Sequence, residues 1–113
     1  MNRSETLEQA ELVITGERHD DYGDAKDNFT NIASGWSKII DEAYRVHGEI
    51  TPMHVALMMD WVKTCRLLND IENEDSWVDK IGYSALGSEI AETYGQDIPV
   101  SYTHLTLPTK RIV

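Results

Sequence analysis

Apolar residues recur every three or four positions along four stretches of the chain, the period of one face of an α-helix. The first stretch, about Ser4 to Thr15, sets Leu7, Ala10, Val13 and Ile14 against Glu5, Glu8 and Glu11. Asn2 and Glu5 have the spacing of a capping box, and Gly16 is a natural stop. The second stretch runs from about Ala25 to His47, with Asp24 as N-cap and Gly48 as its end. Its apolar side carries Phe29, Ile32, Ala33, Trp36, Ile39, Ile40, Ala43 and Val46. Thr51-Pro52 opens the third, an N-cap followed by proline at the first helical position, and it continues to about Leu68. Apolar residues cover most of its circumference, as in a helix packed on several sides. A fourth, about Ser76 to Tyr94, directs Trp77, Val78, Ile81, Ala85, Leu86 and Ile90 inward and stops at Gly95. No period of two appears before the last residues. The pattern predicts an all-α bundle of four main helices with a buried, central third helix.

The stretch from about Pro99 breaks this pattern, being Thr-rich, β-prone and basic at its end. Residues 1–98 therefore read as one helical domain and 99–113 as a tail outside the native fold. The 113 residues are 41% hydrophobic and 27% charged, which fits one ordinary globular domain. Twenty acidic against ten basic residues give a net charge of −10. Without Lys110 and Arg111 of the tail the balance falls to −12. Such a surface repels nucleic acid and anionic membrane, so neither is expected as a partner. The lone Cys65 has no disulfide partner, the polar start is unlike a signal peptide, and no apolar run approaches a bilayer span. A cytoplasmic protein is expected. Bundles of this kind associate through a leftover apolar face, which predicts a homodimer.

Three groups of residues could carry chemistry. Arg18, Asp21 and Tyr22 lie in the acidic segment between the first two helices, where they could hold a cation or a ribose. The simpler alternative is a turn at Gly23, a cap at Asp24 and packing by Tyr22. Asp60, Lys63 and Arg66 follow one another at three-residue spacing, forming a polar strip on the third helix. Lys63 and Arg66 could grip a phosphate, one as a point charge and the other as a fork. They could equally form internal salt bridges to the next helix. Asp75 and Asp79 sit four apart near the start of the fourth helix, a spacing that suits two carboxylate ligands to Mg²⁺. Capping by Asp75 and pairing of Asp79 with Lys63 or Arg66 would explain them as well. Gly82 and Gly87 interrupt the same helix, and close helix approach at Gly82-Tyr83 would compensate them. His19, His47 and His54 lack zinc-ligand spacing, and Cys65 reads as core.

Several of these residues recur together as Arg18-x-x-Asp21-Tyr22-Gly23, Asn28-Phe29, Ile32-Ala33-x-x-Trp36, Val55-Ala56-Leu57-Met58-Met59, Lys63-x-x-Arg66-Leu67, Asp75-Ser76-x-x-Asp79 and Gly82-Tyr83-x-x-Leu86. This pattern resembles a family of small phage and prophage helical domains of unassigned function, over about residues 5–92. The helix order, and Asp79 with Tyr83 on the last helix, are more distantly similar to the MazG-like all-α nucleotide pyrophosphohydrolases. That similarity implies a nucleotide ligand, Mg²⁺ held by paired carboxylates, and release of pyrophosphate. The chain departs from it at Ser76, where an acidic residue is expected, and at Lys63, where the central helix offers a cation. A non-catalytic phage interaction domain with a structural ion-pair cluster is the alternative. The run from Pro99 to Thr109 resembles the translated read-through of a transposon adapter used in sequencing libraries.

Overall fold

The computed structural model describes residues 1–16 and 24–95. They form four helices and no strand: α1 (Arg3–Thr15), α2 (Ala25–His47), α3 (Pro52–Asn69) and α4 (Glu74–Tyr94). The all-α class follows as the periodicity requires. The tail at 99–113, and with it the domain limit at 98, lies outside the described residues.

Side-chain caps set the helix starts. Asn2 Oδ1 accepts the Glu5 N–H, and Asp24 Oδ1 accepts those of Lys26 and Asp27. Thr51 caps α3 through the His54 N–H, and His54 Nδ1 returns the bond by accepting from the Thr51 N–H at 3.3 Å. Histidine thus fills the place that Glu or Gln takes in a capping box. α4 starts two residues earlier than its apolar pattern suggests. Its cap is Asn73, which accepts the Ser76 N–H, so capping does not explain Asp75. At the other end of α2, Gly48 adopts φ +74° and its N–H closes on the Tyr44 carbonyl, a left-handed stop that suits glycine.

α3 is the central element. α2 packs on one side of it and α4 on the other, and these two outer helices do not meet. Trp61 and Cys65 turn toward α2, whereas Ala56, Asp60 and Lys63 turn toward α4. At 3.6 residues per turn these two sets lie on nearly opposite sides of α3. The three helices therefore stand side by side in one layer. α1 packs against no other helix among the described residues and buries none of its own.

Two contacts lock the layer. The Trp61 indole crosses α2 at Gly35 and donates to the Asn31 carbonyl at 2.9 Å, while Trp36 donates back to the Met58 carbonyl at 2.8 Å. α3 also approaches α4 closely at Gly87, where a β-carbon would come within 2.8 Å of Ala56 Cβ. Gly82 faces open space instead, which corrects the expected close approach at Gly82-Tyr83. A second correction concerns α4, whose Trp77, Val78, Ile81, Ala85, Leu86 and Ile90, expected inward, are all exposed. Ser76, Lys80, Tyr83 and Gly87 hold the inward side, because two cross-helix ion pairs and a glycine contact set the rotation of the helix. Among the described residues only Ala43, Cys65 and Leu67 are fully buried apolar residues.

Candidate functional site

The polar strip on α3 meets α4 along one seam. Lys63 Nζ lies 3.1 Å from Asp79 Oδ2, and its side chain keeps 14% of its exposure. Asp60 takes Lys80 Nζ on both oxygens, at 2.9 and 3.0 Å. Each pair ties a residue of the first half of α4 to one of the middle of α3. Helical spacing explains the register: Asp60 and Lys63 lie one turn apart on α3, while Asp79 and Lys80 are adjacent but point to opposite sides of the seam.

Arg66 is half-buried one turn beyond Lys63, on the same side of α3. Ser76, fully buried on α4, has an Oγ with no hydrogen-bond partner among the described residues.

The expected pairing of Lys63 with Asp79 is thus present. Asp75 stands exposed on α4 and does not join the seam. Lys80, which pairs with Asp60, was not singled out by the sequence. Nothing in its spacing marks it, because its partner is chosen by the rotation of α4 against α3. Arg18, Asp21 and Tyr22 lie outside the described residues.

The described residues do not fit a divalent cation by themselves. Asp79 already receives the Lys63 ammonium, and no three His, Cys, Asp or Glu side chains converge closely enough to hold a metal. What the seam offers is two lysines, each matched by a carboxylate on the facing helix.

Other polar groups are structural. Cys65 is buried between α2 and α3, and burial pushes its thiol above the usual cysteine range. On the exposed side of α2, the Arg45 guanidinium, and after it Lys38, hold the Glu42 carboxyl below the usual carboxylate range. His47 and His54 meet edge to face with ring centroids 5.2 Å apart, where α2 ends and α3 begins. No helix among the described residues is long and apolar enough to cross a membrane.

Residues 5–91 match a family described as a domain of unknown function, DUF6378. The chain is also similar to the Gene 55 protein of Mycobacterium phage L5, with 40% identity over 80 residues, 71% of this chain and 48% of that protein. The Gene 55 protein of Mycobacterium phage D29 is 33% identical over 86 residues, 76% of this chain and 53% of that one. The chain thus spans about half the length of the curated relatives it matches. No solved structure matches it.

Proposed function

Since the chain belongs to the DUF6378 family of phage-type domains of unknown function, we propose a role read from its own seam: binding of a nucleotide or another phosphate-bearing ligand at Lys63 and Arg66. The observation that carries this reading is the state of Lys63. It is largely withdrawn from water, yet its carboxylate partner Asp79 remains 46% exposed, so the ion pair opens on one side. An incoming phosphate can take the ammonium from that side, with Arg66 one turn away as the bidentate partner. Arg18, Asp21 and Tyr22, which precede α2, supply candidate contacts to the sugar or base.

The mechanism available to these residues is binding and orientation. Lys63 holds one phosphate oxygen, Arg66 spans two, and Asp79 keeps the ammonium aimed when no ligand is present. If Mg²⁺ takes part, as in the MazG-like pyrophosphohydrolases, it supplies charge neutralisation at the phosphates. Asp75 and Asp79 are the carboxylates that the sequence offers it, and the described residues do not complete a site around them.

The test is a panel of (deoxy)nucleoside triphosphates and inorganic phosphate, with and without Mg²⁺, read by melting temperature and by pyrophosphate release. A binder at 100 times its Kd stabilises by about 2.7 kcal/mol, an upward shift of ten degrees or more in a domain this size. The shift should vanish in Arg66→Met. Pyrophosphate release in the same wells would mark an enzyme, and its absence alongside a shift would mark a binding domain.

One feature favours a second reading, a phage interaction domain whose ion pairs are structural: Lys63 and Lys80 are each matched by a carboxylate on the opposite helix. Melting temperatures unmoved across the whole panel would select it.

A further inference from the structure

We infer that a second copy of this chain packs on one face of the α2–α3–α4 layer, so that the working unit is a two-layer homodimer. A helix turns at 3.6 residues, so the contacts of each helix divide its remaining residues between two open faces. On one of them lie Phe29, Ala33 and Trp36 of α2, Val62 of α3, and Leu86 and Ile90 of α4. Phe29 is 67% exposed and Leu86 56%. Phe29, Ala33, Trp36 and Val62 together line an open apolar groove of about 320 Å³. The opposite face carries Asp27, Lys38 and Glu42 on α2 and the Asp60–Lys80 pair, with a smaller groove of about 260 Å³ confined to the α3–α4 junction, where Met53, Ala56 and Leu57 meet Gly87 and Ala91. Stable domains bury their apolar faces between two or three layers, and a single layer of helices has nothing to bury them against.

Size and charge point to the occupant. Three helices about 27 Å long at 8–10 Å spacing present roughly 600–800 Å², close to the ~800 Å² that each partner contributes to a standard interface. α1, about 20 Å long, could cover one groove between two helices but not a layer three helices wide. The chain carries −10 overall. Among the described residues, however, the charges on the apolar face are Lys63 and Arg66 against Asp75 and Asp79, which balance. Two copies can therefore meet here without the repulsion that their other surfaces would impose. The same placement puts the Lys63–Asp79 seam within that face, between α3 and α4.

Sedimentation of the full chain from about 1 to 100 µM tests this, with circular dichroism to report folding. The expected result is twice the mass of one chain, with a melting temperature that rises with concentration. Leu86→Glu should raise the dissociation constant at least 100-fold. Ile81→Glu, also at an exposed position but on the outer edge of α4, should leave the mass unchanged. If Leu86→Glu does not fold, Ala33→Arg carries the same test from an exposed position that adds bulk and charge to the face. A single-chain mass at every concentration would overturn the inference. So would a dimer broken by Ile81→Glu but not by the two face variants. Nucleotide binding by a monomer would leave the ligand reading standing while this one fell.

Discussion

The Trp61 indole occupies the space that a β-carbon on Gly35 would need, so α2 and α3 cross at a glycine because a tryptophan lies over it. The indole N–H reaches the Asn31 carbonyl from there. Gly35→Ala should therefore lose stability although alanine is the better helix former. Overpacking costs about 1–3 kcal/mol and the helix gain returns ~1 kcal/mol, leaving a net loss of up to about 2 kcal/mol. Gly82, which faces open space, should show the opposite sign, gaining ~1 kcal/mol on substitution to Ala. Urea melts of both variants at one fixed protein concentration check the pair.

Lys63 and Asp79 should behave as partners in a double-mutant cycle. Lys63→Met leaves a half-exposed carboxylate, whereas Asp79→Leu leaves a largely buried ammonium, so the second change should cost more. The double variant should lose less than the sum of the singles, by about 1 kcal/mol given the exposure of Asp79. Additive losses would show that the 3.1 Å contact is energetically idle.

Thr51 is 2% exposed and its Oγ1 caps α3 while lying 2.6 Å from His54 Nδ1. Thr51→Ala should cost about 1–2 kcal/mol, lowering the melting temperature by roughly 4–16 °C. Thr51→Ser keeps the hydroxyl and should recover most of that loss. An alanine variant that melts with the wild type would mean that the cap contributes nothing.

Burial that raises the Cys65 pKa also removes its thiolate, the reactive form. A disulfide reagent at pH 8 should leave the native chain unmodified over minutes and modify it fully in denaturant. The native rate should follow the unfolded fraction as urea is added. Fast labelling under native conditions would place Cys65 outside the α2–α3 contact.

Periodicity and end chemistry were enough to locate the four helices, because both act within a few residues. Asp24, Thr51-Pro52 and Gly48 each satisfy or stop their own helix wherever it packs, so those boundaries are legible without a fold. The same holds for the central place of α3, whose apolar residues cover most of its circumference, although Val55, Leu57 and Leu68 stay exposed rather than buried. The Lys63–Asp79 pair was one of several pairings open to the strip. Its selection depended on how α4 is rotated against α3, a quantity that no local spacing encodes. That rotation also sent Val78 and Ile81 outward, paired Lys80 with Asp60, and moved the close approach from Gly82 to Gly87. The apolar residues of α4 cover both of its sides, so its pattern could not name the inward one. Only the fit of Gly87 against Ala56 and of two lysines against two carboxylates decided it.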